Sequence, residues 1–350
     1  MNKTDFKWCN TLEDQGSLEK LVTLFVENAN NAYISHGEVI YGRANNLSEW
    51  KANIKERIRE EFVEAMQNDF AGMEIFTKLV MAQQDENIVA IALVGFYPET
   101  KLCVLYDIVV DKPQRRHKIA EKMLQWIEAE IKKEFGARFL FLESGKNNHD
   151  AHKFFEHQGF AQSSIEMYKE ILNNQKLKIM NKTDFKWCNT LEDQGALEKL
   201  VALFVENANN AYISHGEVID GRADNLNEWK VNISELMHDE FAYAMQNDLN
   251  GTGIFNMLAM AKQGEQIVAV ALVVFHADTE LCVLSDIVVD KSLRGKKLGK
   301  EMLKWIEAQI KDCGARFLFL ESGKNNHDAH KFFENEGFKQ SSIVMVKEIS

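Results

Sequence analysis

The sequence predicts an α/β fold, an α+β mixed sheet with helices on both faces, made twice in tandem. Two observations carry this. The first half of the chain recurs recognisably in the second, and within each half β-rich runs alternate with stretches of helical spacing.

The decapeptide Met1 to Asn10 reappears from Met180 to Asn189. The offset of 179 holds as far as Lys132 and Lys311, and one residue is lost before Gly314. About seven in ten paired positions are identical. A period this long is a whole domain, so the chain divides into 1–172, a polar linker 173–179, and 180–350. Most differences fall between positions 41 and 120, which is where the copies have room to act differently.

Within one copy the elements follow in order. Asp5 to Thr11 reads as a short strand. Leu18 to Ala29 has helical spacing through Leu21, Leu24, Phe25 and Ala29, and a second helix is expected from Ser48, with Trp50, Ile54, Ile58, Phe62 and Met66 on one stripe. Glu74 to Gln83 and Asn87 to Tyr97 form a hairpin across Gln84-Asp85-Glu86, and Leu102 to Val110 is a third strand. A long helix covers Arg115 to Phe135, with Ile119, Met123, Trp126, Ile127 and Ile131 facing inward. Arg138 to Glu143 is strand, His149 to His157 helix, and Phe160 to Ile171 one or two closing strands.

Composition excludes several classes. The chain is 45% hydrophobic and 27% charged, as globular proteins are. Apolar runs fall short of the roughly 20 residues that span a bilayer. Met1 to Asn10 lacks a basic-then-apolar signal pattern, so the reading is cytoplasmic with no membrane partner. Net charge is −12, shared as −4 and −8 between the copies, which disfavours nucleic acid and suits a cationic substrate. The cysteines at 9, 103, 188, 282 and 313 show no C-x-x-C spacing and read as small buried thiols.

Two segments carry chemistry. The strand ending Asp107-Ile108-Val109-Val110 runs into Arg115-Arg116-His117-Lys118-Ile119-Ala120 and then a helix. Its counterpart is Asp286-Ile287-Val288-Val289 followed by Arg294-Gly295-Lys296-Lys297-Leu298-Gly299-Lys300. Free N–H groups at a helix N-terminus, with the helix dipole, form a site for anions. Basic side chains there oppose the dipole and so suggest a bound polyanion; a solvated basic turn is the plainer alternative. The second segment runs from Asn147 to Phe160 and recurs from Asn325 to Phe338. Asn148 is placed to cap a helix that Gly159 ends, with Ala151, Phe154 and Phe155 in the core. His149 and His152 stand three apart, but with no third ligand in evidence no metal is expected.

Together these segments resemble the signature motifs of the GNAT superfamily of acetyl-CoA-dependent N-acetyltransferases, and the element order matches that fold. The family loop R/Q-x-x-G-x-G/A is met at Arg115 and Ala120, and at Arg294 and Gly299. The family motif N-x-x-A-x-x-F-Y-E-x-x-G-F is met at Asn148, Ala151, Phe154, Glu156, Gly159 and Phe160, and again at Asn326, Ala329, Phe332, Glu334, Gly337 and Phe338. The resemblance implies a tandem duplication of the GNAT acyl-CoA N-acyltransferase fold that uses acetyl-CoA. Amides from Arg115 to Ala120, and from Arg294 to Lys300, would hold the pyrophosphate. Ile108 to Val110 and Ile287 to Val289 would line the pantetheine arm, which Asn148 and Asn326 would hydrogen-bond. Two departures stand out. The central loop glycine is Lys118 or Lys297, and the tyrosine that often protonates the leaving thiolate is Phe155 or Phe333. A lysine serves if that position only donates an N–H in helical conformation, and its ammonium is then within reach of a phosphate; if close backbone approach matters there, affinity is expected to fall. A thiolate also leaves tolerably well unaided, its acid having a pKa near 8.5.

The expected reaction is direct transfer of acetyl to a primary amine of a small cationic molecule, with Asp107 and Asp286 as candidate bases acting through water. Alternatively, each of these aspartates faces the other side of the sheet and is structural. The acceptor is expected beside the loop Tyr33-Ile34-Ser35-His36-Gly37-Glu38, and its repeat with Tyr212, His215 and Glu217. Aromatic, imidazole and carboxylate groups there suit a cation. Rival readings are a protein or peptide N-acetyltransferase, and an acyl-CoA sensor without catalysis. The copies are open to packing as an internal pseudo-dimer or to hanging as two beads on a linker.

Overall fold

The computed structural model describes residues 3–9, 16–67, 75–171, 183–246 and 253–349. The expected linker 173–179 and domain edges at 172 and 180 lie outside them, as do Thr11 at the end of the first expected strand and Glu74 at the start of another.

The first repeat gives β1 (Asp5–Cys9), α1 (Leu18–Asn28), α2 (His36–Ile40), β2 (Ala44–Asn46), β3 (Glu49–Trp50), α3 (Ile54–Gln67), β4 (Phe76–Gln84), β5 (Asn87–Tyr97), β6 (Leu102–Val110), α4 (Ile119–Phe135), β7 (Phe139–Gly145), α5 (His149–His157) and β8 (Ala161–Glu170). The second gives β9 (Asp184–Trp187), α6 (Thr190–Asp193), α7 (Leu197–Asn207), α8 (His215–Ile219), β10 (Ala223–Asn225), β11 (Glu228–Trp229), α9 (Ile233–Met245), β12 (Ile254–Gln263), β13 (Gln266–His276), β14 (Leu281–Val289), α10 (Leu298–Asp312), β15 (Phe317–Gly323), α11 (His327–Asn335) and β16 (Lys339–Glu348).

Packing gathers the chain into two units, 1–163 with 342–350, and 164–341. The repeat boundary and the packing boundary therefore differ. In unit 1 the strand order is β1-β4-β5-β6-β7, and Ser342–Glu348 of β16 pairs antiparallel to β7, from Ser342 opposite Gly145 to Glu348 opposite Phe139. In unit 2 the order is β9-β12-β13-β14-β15, closed by Ser164–Glu170 of β8 against β15. Each unit thus takes its last strand from the other repeat. The two strands, AQSSIEMYKE and KQSSIVMVKE, are so alike that either satisfies the same ladder. Ion pairs accompany the exchange: Lys347 to Glu128 at 2.7 Å in unit 1, and Lys169 to Glu307 at 2.5 Å in unit 2.

In unit 1, β5 is buried from Val89 to Phe96, which explains its unbroken apolar run: it is central and covered on both faces. On one face α4 buries Ile119, Met123, Leu124, Ile127 and Ile131 with Leu105, Leu140 and Leu142. On the other, α1 and α3 bury Leu21, Phe25, Ile58 and Phe62 with Leu79, Ile91 and Val109. Unit 2 repeats this division.

Three expected boundaries move. The second long helix begins at Ile54 and not Ser48, because Trp50 belongs to the small ribbon β2–β3 and pairs with Ala44. The helix expected from Arg115 begins at Ile119: Lys112–Gln114 form a 3₁₀ turn with a proline in it, and Lys118 is left-handed. The loop carrying His36 and Glu38 is a short helix, α2. Four cysteines are buried, as expected, whereas Cys313 is exposed. Among the described residues no helix is long and apolar enough to cross a membrane.

Candidate active site

Two irregularities of the sheet make a cleft in each unit. Leu93 pairs with Asp107 but Val94 with Leu105, so Tyr106 is an extra residue in β6. Such a bulge bends the strand and turns neighbouring side chains to one face. Beside it, β6 pairs parallel with β7 only from Leu102 to Leu105. Beyond that point the two strands part, and a cavity of about 320 Å³ opens between Ile108, Val109 and Val110 on one side and Leu142, Glu143, Ser144 and Asn148 on the other. Phe155 lines it as well. Unit 2 has the same bulge at Ser285, the same limited pairing from Leu281 to Val283, and a cavity of about 570 Å³ lined by Ile287, Val288, Val289, Ser322, Asn326 and Phe333.

The cleft ends at the N-terminus of α4, or of α10 in unit 2. No side chain caps either helix, so the first-turn amides remain available to an anion. The preceding residues are Lys118 at φ 60° and Lys297 at φ 68°. The position therefore needs a left-handed backbone; the helical conformation that would have suited lysine does not occur. Arg116 is also left-handed, at φ 69°, where unit 2 has Gly295 at φ 77°. A side chain in this region costs about 1–2 kcal/mol relative to glycine's freedom.

The basic loop residues divide. Lys118 is exposed, with its ammonium 3.9 Å from Glu121. Lys300, a further unit 2 expectation, pairs with Glu336 at 2.6 Å. His117, Ile119 and Ala120, like Lys296, Leu298 and Gly299, occupy the turn and first helical residues. Arg115 points back into the protein: Nε donates to the carbonyl of Val110 at 3.1 Å and Nη2 to that of Asn28 at 3.3 Å. Arg294 does the same with Val289 and Asn207. These arginines brace the loop. Asn28 completes the brace, accepting from the Lys112 amide at 2.9 Å, as Asn207 does from Lys291 at 2.7 Å. Buried asparagines at a helix end read in sequence as ordinary caps, so the asparagines gave no signal of this work.

On the acceptor side the structure brings together Tyr33, Glu38 and Asp107, and adds Arg43. Asp107 is 1% exposed, and does not line the cleft. Nη1 and Nη2 of Arg43 donate to its two oxygens at 3.1 and 3.0 Å, and the Tyr33 hydroxyl donates at 2.5 Å. Arg43 also pairs with Glu38 and Glu61. Asp286 is held by Nη1 of Arg222, which alone donates to both oxygens at 3.2 and 3.0 Å, and by the Tyr212 hydroxyl at 2.6 Å. Burial pushes Glu38 up to about 8 against the pull of Arg43, with Asp107 and Glu61 adding to the rise. Burial holds Glu217 well above the usual carboxylate range too, and the phenols of Tyr33 and Tyr212 well above theirs.

Glu143 on β7 does line the cleft. It accepts from the amides of His36 at 2.9 Å and Gly37 at 3.1 Å, and from the Ser342 hydroxyl. Glu321 takes the amides of His215 and Gly216 and the Ser164 hydroxyl. Burial alone would raise Glu321, but these partners and the nearby His215 ring hold it below the usual value. The histidines thus present backbone N–H groups to a carboxylate, a use that their side-chain chemistry did not announce. Gly145 lets this segment close onto β7, because a Cβ there would stand 2.4 Å from the carbonyl oxygen of Ile34.

Ser144 and Ser322 were not singled out by sequence. Both are buried, line the cleft beside Phe155 or Phe333, and their hydroxyls have no hydrogen-bond partner. Asn148 and Asn326 open their helices without making a side-chain cap, which leaves the amides at the cleft wall. Burial lowers His152 and His330, which therefore stay neutral at pH 7. Among the described residues no group of three metal-binding side chains occurs.

In each unit the sheet parts at one parallel pair, above an uncapped helix N-terminus. The acetyltransferase (GNAT) family profile matches residues 45–160 and 223–338, and the chain belongs to that family, as two tandem domains. An aminoalkylphosphonate N-acetyltransferase of Salmonella typhimurium is 28% identical over 123 residues, covering 33% of this chain and 79% of the relative. A tandem GNAT protein from the clavulanic acid biosynthesis pathway superposes over 99% of both chains with a TM-score of 0.55 and 11% identity. A GCN5-related N-acetyltransferase from Sphaerobacter thermophilus covers 98% of this chain and 96% of its own, with a TM-score of 0.59 and 14% identity. At these identities the likeness is one of fold. The chain is an acetyltransferase.

Proposed function

We propose that each unit binds one acetyl-CoA in its parted β6–β7 or β14–β15 cleft and transfers the acetyl group to a primary amine of a small cationic molecule. The observation that carries this reading is the parted parallel pair. It leaves one edge of Ile108–Val110 without a strand partner, directly above the open amides of α4. An extended chain ending in a diphosphate fits both features. The neutral Ser144 hydroxyl, buried without a partner in the wall, is a third group that such a chain would satisfy.

Bound acetyl-CoA supplies a thioester whose acetyl group passes to the amine nitrogen as the thiol leaves. The protein's part is positioning and handling of the amine's proton. Asp107 and Asp286 have their oxygens taken by a guanidinium and a phenol, and in this reading they fix Tyr33 and Tyr212 at the cleft wall. Glu143 and Glu321 reach the cleft and receive the proton through water. The hydrogen bonds and the nearby His215 ring that hold Glu321 below its usual value make it a weak base, so in unit 2 the amine must be deprotonated largely at solvent cost, which favours turnover at alkaline pH. Phe155 and Phe333 provide no acid, and the departing thiolate takes its proton from water.

The acceptor is a cation. Arg43 is engaged by Asp107 and Glu61, so the unit 1 cluster stays negative even with Glu38 protonated. The Salmonella relative's name specifies a small amine that also bears a phosphonate, which supports an amine acceptor but not its being a cation. Thiol release from acetyl-CoA across a panel of small amines, run beside acetyl-lysine detection on mixed proteins, tests the reading. Release with small amines is expected. Acetylated proteins with no small-amine turnover would transfer the reading to a protein acetyltransferase.

A further inference from the structure

The bulge residue differs between the units, and so does its packing. In unit 1 it is Tyr106, which lines the cleft. Its ring lies over Gly95: a Cβ there would stand 2.4 Å from Cε2 of Tyr106. Its hydroxyl meets that of Tyr97 at 2.7 Å, and Tyr41 is near enough to act on the phenol, which burial pushes far above its usual range. In unit 2 the same four places hold Ser285, Val274, His276 and Asp220. Ser285 lines the cleft, and Val274 is half-buried where Gly95 is covered. Ring and glycine have thus been exchanged together for hydroxyl and valine. The exchange is size-compensated only in part, because valine does not refill the space of a phenol.

Charge changes in the same direction. Asp220 brings a fourth carboxylate to Arg222, at 3.9 Å, where Tyr41 brings none to Arg43. Unit 2 therefore has a small hydroxyl on the cleft wall, backed by a partly exposed valine and one more carboxylate on Arg222, where unit 1 has a pair of hydrogen-bonded phenols.

We propose that Tyr106 with Gly95, and Ser285 with Val274, set acceptor size separately: unit 1 takes short monoamines, and unit 2 takes longer amines whose second positive group lies at Asp220. This rests on the amine-acceptor reading above. The test is calorimetric titration of n-butylamine and of 1,8-diaminooctane into the intact chain saturated with CoA. Wild type is expected to bind two butylamines but one diamine per chain. The double replacement Val274→Gly with Ser285→Tyr is expected to lower the diamine-to-butylamine affinity ratio at least tenfold, and Gly95→Val with Tyr106→Ser to create a second diamine site. Two equal diamine sites in wild type, or a ratio that neither replacement shifts beyond twofold, overturns the proposal. Both titrations read binding, so they stand apart from the acetyl-transfer reading, which fails only if no amine releases thiol from acetyl-CoA.

Discussion

The guanidinium of Arg43 spans both carboxylate oxygens of Asp107, at 3.1 and 3.0 Å, inside a site where each side chain is nearly inaccessible. A buried ion pair adds little net stability, but breaking one partner leaves a charge uncompensated. Arg43→Met is therefore expected to destabilise unit 1 by about 3–5 kcal/mol. Arg222→Met should do the same in unit 2. Thermal unfolding of the intact chain checks this, and a loss below 1 kcal/mol would contradict it.

Stability should also fall as pH rises. Glu38 has a folded value of about 8 against an ordinary 4.5, so between these values the folded chain holds a proton that the unfolded chain has lost. That proton favours folding at low pH, and its contribution disappears as pH climbs through 8. Glu217 is raised in the same direction. Melting temperature is expected to drop from pH 5 to 8, and Glu38→Gln with Glu217→Gln to flatten the drop. A profile unchanged by the pair of substitutions would show that neither carboxyl holds the proton.

Left-handed lysines before α4 and α10 are a local cost that glycine would remove. Lys118→Gly and Arg116→Gly should each stabilise by about 1 kcal/mol, while Gly295→Arg should destabilise by a similar amount. Denaturant unfolding gives these differences directly. If Lys118→Gly also leaves acetyl-CoA affinity unchanged, the lysine ammonium plays no part in holding phosphate.

Ser144 and Ser322 separate folding from binding. Their hydroxyls are buried without partners, so Ser→Ala should leave the free chain as stable or slightly more so. Acetyl-CoA binding should weaken about fivefold at each site, the worth of one hydrogen bond near 1 kcal/mol. Equal affinity after substitution would mean that the hydroxyl meets nothing in the complex.

Much of this was legible in the sequence. The duplication, the central apolar β5 and the junction of β6 with a loop and helix all follow from pattern and spacing. What was not legible depended on long-range pairing. The β8 and β16 strands are nearly identical, so no local signal says which repeat each completes. Arg43 sits in an unremarkable Tyr-Gly-Arg turn, and only the fold carries it to Asp107. The Tyr106 bulge is invisible because the run from Leu102 to Val110 reads as regular strand. Glu143 and His36 meet across the fold through backbone amides, which side-chain identity does not encode. The positive φ at Lys118 was hidden for the opposite reason: lysine there suggested an ordinary helical start.

The most direct test of the account is calorimetric titration of acetyl-CoA into the intact chain, read for affinity and stoichiometry. Two parted clefts, each above an uncapped helix, predict two acetyl-CoA molecules per chain at micromolar affinity or better. No heat at micromolar concentrations, or one molecule per chain, would contradict the claim that both units carry a working acyl-CoA site.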